Sequence, residues 1–329
     1  MEIVMRFKFS PFYYFLAIPL AFFGSAALVI TIRHREKGSQ AAQGPSAPSL
    51  DQIAESTQHL LNMPEDKIDV GIIALELAKE IYPDIDIASY SAKIDALAGQ
   101  VRRLAKGTRD PDLRIRCLNT VILLQDKFQG TRDSSSARRS ENYYLNHVLD
   151  TRQGNCFTMP ILYVAVAQRL GWPVYPVSVP DHSFVRYVDP ALKEQNIETT
   201  SNGGYVPDDR YAKDFLVSKA GRQSGVYLRT LTYHEMLGDL VATNGIYFGQ
   251  QGQLAKSVAY LKLATRLNPK LAGAWANLAN ANRMMANRSG GPEGKRYMEA
   301  AAEYSKKLDE LGFVHPKDVP QFSSSGRPQ

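Results

Sequence analysis

Cysteine is almost missing from this chain, with only Cys117 and Cys156 in 329 residues. Two thiols cannot build the disulfide framework on which small secreted folds depend. Histidine is nearly as sparse, six in all, and no two stand at metal-ligand spacing. A structural zinc module is therefore excluded, and neither a metal nor a cofactor is expected. Charge of one sign is hardly in surplus: 39 Lys and Arg face 33 Asp and Glu, a net charge of +6. Where basic residues gather, at Arg102, Arg103, Lys106 and Arg109, no aromatic side chains are interleaved for base stacking, so nucleic acid is not an expected partner. What the chain does have is apolar residues, 44% against 22% charged. That is the balance of a globular protein, in a length that suits two or three folded units.

A second absence is local. From Phe9 to Ile32 there is no charged side chain, and such a segment is long enough to cross a hydrocarbon core of about 30 Å as a helix. The competing reading is a cleaved signal peptide, with Arg6 and Lys8 before it and the small residues Gly24, Ser25 and Ala26 as the cut. Ala27 to Ile32 stays apolar beyond that cut, which favours a retained anchor over residues 1–37 with a single span at about 9–32. Arg6 and Lys8 are opposed by Arg33, Arg35 and Lys37, so the charge bias across the span nearly cancels, with a slight lean toward an extracytoplasmic globular part. The small, polar run 38–50 reads as a flexible linker.

From Leu50 to Gln129 apolar residues recur at helical spacing, for example Leu97, Val101 and Leu104, then Leu113, Cys117, Leu118, Val121 and Leu124. The pattern predicts three or four amphipathic helices, broken at Tyr82-Pro83-Asp84 and at Gly107–Pro111. Cys117 falls in an apolar stripe and is expected to pack as a small hydrophobe.

The chemistry-bearing stretch follows. Arg152-Gln153-Gly154-Asn155-Cys156 leads into an apolar helix, Phe157 to Leu170, stopped by Gly171. Pro160 is tolerated only in a first turn, so the helix begins close to Cys156. There the helix dipole and unpaired N–H groups favour a thiolate. Two strands are expected next, Val174–Val179 and Asp181–Tyr187, with His182, Phe184 and Arg186 on one face of the second. A third extended run, Asn196 to Thr200, puts Asn196 and Glu198 on a common face. A cysteine at a helix start, a histidine on a strand and an acid or amide on the next is what nucleophilic acyl transfer needs.

These same residues resemble a family. Arg152–Cys156 with ILYVAVAQRLGWPV, followed by Val179–Tyr187, is similar to the core of the transglutaminase-like superfamily, in particular its bacterial SirB-type branch. Ala74-Leu75 through Tyr82-Pro83 and Tyr144–Leu149 resemble that branch's helical part, so the likeness spans roughly 61–215. It implies Cys156 as nucleophile, His182 as base and Glu198 as the third member, where other superfamily members usually carry Asp. Asn196 and Asp189 remain alternatives for that position. Asn155 and Asn196 are the candidate binding residues beside the triad. Many SirB-type sequences lack the cysteine; this one retains it.

Further on, Gly245, Phe248, Gly249, Gly252, Ala255, Ser257, Leu261, Ala264 and Pro269, then Trp275, Leu278 and Ala279, resemble tetratricopeptide positions. An interruption is expected at 287–295, before a helix over 297–311. The reading as a whole is an α+β chain with a membrane helix and a helical subdomain. A papain/transglutaminase-like core with a small antiparallel sheet and C-terminal α-hairpin repeats complete it. Its expected divisions are 51–225, 226–312 and a disordered tail over 313–329. The resemblance implies a membrane-anchored cysteine acyl-transfer enzyme acting on a protein or peptide amide, with the repeats engaging a protein partner. The alternative is a non-catalytic scaffold of the same fold.

Overall fold

The computed structural model describes residues 57–131, 140–190 and 195–313. The expected anchor over 9–32, the linker over 38–50 and all but Phe313 of the expected tail lie outside these residues. Among the described residues no helix is long and apolar enough to cross a membrane.

Three helices open the fold: α1 (Val70–Lys79), α2 (Ile87–Ala105) and α3 (Pro111–Asn119). Each starts at an aspartate, Asp69, Asp86 or Asp110, whose side chain accepts backbone N–H groups that would otherwise go unbonded. They end or break at the places expected from the turn residues, and α3 runs on as a wider π turn over Thr120–Gln125. Cys117 is buried in α3, as its place in the stripe predicts.

A two-residue strand β1 (Gln129–Gly130) pairs in parallel with β2 (Gln153–Gly154), which follows α4 (Leu145–Thr151). The sequence pattern gave no sign of this pairing. Next comes α5 (Thr158–Leu170), in which every residue from Thr158 to Ala167 is buried. A helix apolar on all sides must be enclosed, and α1, α2, α4 and the sheet surround it. Burying each large aliphatic or aromatic side chain contributes about 1.5–3 kcal/mol, so α5 is the central post of the fold.

The sheet consists of β3 (Val174–Val179), β4 (His182–Tyr187) and β5 (Asn196–Ile197), antiparallel throughout. β3 and β4 are joined through Pro180-Asp181. Proline presets the first turn position, and Asp181 takes φ 57° at the second, as a type II turn requires. The third strand is shorter than the expected run to Thr200, because the chain turns back on itself after Glu198. Glu198 N donates to Gly204 O and Gly203 N to Glu198 O.

Both faces of the sheet are covered. Val174, Val185, Tyr187 and Ile197 join the main core. Val177, Val179 and Phe184 meet Tyr211 of a short helix, α6 (Asp208–Asp214). This second cover explains why His182 is buried at the start of its strand.

After α7 (Lys219–Ser224), four longer helices form antiparallel pairs: α8 (Tyr233–Gln250) with α9 (Leu254–Leu267), and α10 (Ala272–Ser289) with α11 (Gly291–Glu310). Gly245 lets α8 and α9 approach closely, since a Cβ there would stand 2.8 Å from Leu261 Cγ. The expected interruption at 287–295 is corrected. α10 runs to Ser289 and α11 starts at Gly291, with the path broken at Gly290 and Gly291, φ 64° and 51°. Pro292 fits because it lies in the first turn of α11. One hydrophobic cluster extends from Leu60 through α5 to Ala281, so the core is continuous across 225/226. Asn244 on α8 donates to Leu77 O of α1 within it.

Candidate functional site

The site starts from a capped helix. Asn155 Oδ1 accepts from the backbone N–H groups of Phe157 at 2.9 Å and Thr158 at 3.0 Å. That is the work of an N-cap residue, and it puts Cys156 at the first position after the cap, although regular helix is counted only from Thr158. Cys156 is half-buried, and its thiol donates to Asp181 O at 3.7 Å. The β3–β4 turn therefore lies directly over the helix start.

His182 begins β4 immediately after that turn. Its imidazole is hydrogen-bonded with Cys156, and its Nε2 lies 2.7 Å from Glu198 Oε2. With Nε2 committed to the acid, Nδ1 is the nitrogen left for the thiol. Glu198 is 4% exposed, and its two oxygens are fully occupied. Oε2 also accepts from Tyr211 OH at 2.8 Å. Oε1 accepts from Thr200 N at 2.9 Å and Thr200 Oγ1 at 2.5 Å. Such a cradle satisfies a buried carboxylate that would otherwise be costly to keep charged.

Two glycines admit the neighbours that shape this cradle. A Cβ on Gly130 of β1 would stand 2.4 Å from Thr200 O, and Gly203, at φ +70°, would put one 2.4 Å from Asn119 Cγ. Asn119 Nδ2 donates to Gly203 O at 2.8 Å and its Oδ1 accepts from Tyr163 OH at 3.1 Å. The loop after Glu198 is thus tied to α3 and α5.

The charges follow from this arrangement. Burial works against a charged imidazole, but Glu198 and the bond with Cys156 outweigh it and raise the histidine far above its usual range, to about 10. Burial likewise opposes ionisation of Glu198, yet the His182 charge and the bonds from His182 and Thr200 hold it low, at about 2. The two form a buried, hydrogen-bonded ion pair. Burial, then the Glu198 charge, keeps Tyr211 protonated as a donor.

Of the residues expected from sequence, Cys156, His182 and Glu198 come together. Asn155 caps the helix under Cys156. Asn196 is elsewhere: its Oδ1 accepts from Arg186 Nε at 2.8 Å, and its Nδ2 donates to Val206 O and Asp208 Oδ1. Asp189 stands by Gln195, whose side chain bonds its backbone.

Sequence reasoning missed Thr200, Tyr211 and Phe215. The Phe215 ring stacks on His182 at 4.6 Å and 8°, and Tyr211 stacks on Phe184 at 3.8 Å and 1°. Arg186 Nη2 donates to Asp208 Oδ1 at 2.6 Å. Three residues on one face of β4 thus meet three at i, i+3 and i+7 along α6 and its C-cap. That spacing marks one helix face, and it was the one available signal.

The comparisons agree with the geometry. Residues 88–238 match the transglutaminase-like superfamily. Among related proteins, a UPF0162 protein of Xylella fastidiosa (strain Temecula1) is 26% identical over 174 residues, which is 48% of this chain and 61% of that protein. F-box only protein 21 of Homo sapiens is 28% identical over 124 residues, 32% of this chain and 19% of that protein. Each likeness therefore spans less than two thirds of the relative's own length. Among solved structures, menin aligns with a TM-score of 0.49 at 16% identity, over 80% of this chain and 64% of that one.

Proposed function

We propose that this chain is a membrane-anchored cysteine acyl-transfer enzyme of the SirB-type branch, acting on a peptide or glutaminyl amide. The observation that carries the reading is the hydrogen-bonded series Cys156, His182, Glu198 at a capped helix start. In the proposed reaction the thiol proton already resides on His182, and the Cys156 thiolate attacks the amide carbonyl carbon through Sγ. A thioester forms and the C–N bond breaks as His182 returns the proton to the leaving amine or ammonia. Water or an acceptor amine then attacks the thioester, giving its proton to His182, and the C–S bond breaks to restore the thiolate–imidazolium pair. Glu198 keeps the imidazole oriented and stabilises its cation throughout. No metal or cofactor enters this scheme.

The charge-free run from Phe9 to Ile32 supports the anchor, and the α8–α11 pairs, with their resemblance to tetratricopeptide repeats, offer a surface for the protein that supplies the amide. The decisive experiment incubates full-length protein with a library of glutaminyl and unmodified peptides and an amine probe, scoring ammonia release, probe incorporation and cleavage. Turnover lost in Cys156→Ala and His182→Ala supports the enzyme. Absence of turnover and of a trapped thioester throughout the library would favour the scaffold reading instead. Carbonate-resistant membrane association tests the anchor separately.

A further inference from the structure

The acid of the candidate triad is held from a second element. Glu198 Oε2 accepts from His182 Nε2 at 2.7 Å and from Tyr211 OH at 2.8 Å. Two donors on one oxygen fix the carboxylate's rotation about its last bond, because moving it toward either lengthens the other. Tyr211 is itself immobilised: its ring lies flat on Phe184, 3.8 Å away, and it is 2% exposed. The helix that carries it is clamped at its start. Asp208 Oδ1 accepts from Arg186 Nη2 at 2.6 Å and from Asn196 Nδ2 at 2.7 Å. Arg186 Nη1 further donates to Thr230 Oγ1 at 3.0 Å. At its other end Phe215 covers the His182 ring.

From this juxtaposition we infer that Tyr211 is a positioning residue of the site, holding Glu198 on the His182 imidazole, and that the Arg186–Asn196–Asp208 cluster serves the site by clamping α6. This inference rests on the acyl-transfer reading, since it assigns a role relative to His182 and Glu198. It also gives Asn196 a place: not on the histidine, but one step behind it. The groups that face His182 are Cys156 from the helix start, Glu198 from the loop after β5, and from α6 and its end the Tyr211 ring at 5.9 Å and Phe215 at 4.6 Å. The Tyr211 hydroxyl reaches the imidazole only through Glu198. Without its hydroxyl, Glu198 Oε2 keeps one donor and can swing toward Thr200, weakening its hold on the imidazole.

Tyr211→Phe tests this while keeping the ring that stacks on Phe184. In full-length protein with isotopically labelled histidine, the NMR titration of His182 should shift to lower pH in Tyr211→Phe, by less than in Glu198→Gln. Iodoacetamide labelling of Cys156 at pH 7 should slow by about twofold to tenfold, the range for one hydrogen bond, with Cys117 unaffected. Asp208→Asn, which loosens the clamp without touching Glu198, should shift both readouts the same way and less; it also serves as the deciding variant if Tyr211→Phe lowers the melting temperature enough to blur the comparison. If Glu198→Gln moves the His182 titration and neither Tyr211→Phe nor Asp208→Asn does, the inference is overturned and the acyl-transfer reading stands. If neither Glu198→Gln nor His182→Ala alters Cys156 labelling, the underlying reading fails instead.

Discussion

Glu198 lies 2.7 Å from His182 although sixteen residues separate them. The distance is set by a strand register, Val185 opposite Ile197 and Arg186 opposite Asn196, which runs one residue past the strand's end before the chain turns. An acid placed just beyond a short strand can reach a histidine at the start of its neighbour. Asp189, seven residues after His182, lies past the far end of β4.

That contrast yields a direct test. Glu198→Gln should leave the fold intact but cut turnover by orders of magnitude, since an amide cannot stabilise the imidazolium or fix its tautomer. Asp189→Asn should change turnover by less than about threefold, as expected for a group outside the machinery. Steady-state kinetics on whichever amide the library identifies would check this; a larger loss in Asp189→Asn would reassign the acid.

The two thiols should behave differently. Cys117 is buried on α3, and burial raises its thiol further from ionisation. Cys156 is half-buried and bonded to His182. Quantitative alkylation with mass spectrometry at pH 7 should modify Cys156 first, by at least about tenfold, because thiolate character and access govern the rate. Equal rates would argue against an activated nucleophile.

Stability should depend on pH through the buried pair. The folded histidine is raised above its ordinary 6.5, so its contribution is complete below that value and is lost as pH climbs toward about 10. Glu198 is lowered from its ordinary 4.5, so its contribution is complete above 4.5 and is lost as pH falls toward about 2. The joint contribution is therefore greatest between pH 4.5 and 6.5. Melting temperatures across pH should show wild type exceeding Glu198→Gln most in that window. A constant gap across the range would show that the pair contributes nothing by linkage.

Gly203→Val offers a structural check on the loop that holds the acid. The position has φ +70°, and its Cβ would stand 2.4 Å from Asn119, combining backbone strain with a clash. A loss of about 2–4 kcal/mol is expected from these two effects, measured by denaturant unfolding. The reciprocal change Asn119→Ala in the same background should recover part of it, whereas full stability in Gly203→Val alone would contradict the packing described.

The sequence by itself determined a good deal of this protein. The aspartates before each early helix and Pro160 beside Cys156 are local devices, readable because their partners are a few residues away. The strand alternation that put His182, Phe184 and Arg186 on one face is equally local, and so are the residues that carry the family resemblance. Gly290 and Gly291 show the limit of such reading: a polar run suggested a long interruption, but the turn between α10 and α11 needs only these two glycines out of line. Tertiary structure alone decided the rest. Which of Glu198, Asn196 and Asp189 meets the histidine depends on strand register, and Gly130 matters only because β1 abuts Thr200. Tyr211 joins the site because α6 is folded onto β4, a contact between segments more than twenty residues apart, where spacing marks a helix face but not the strand it meets.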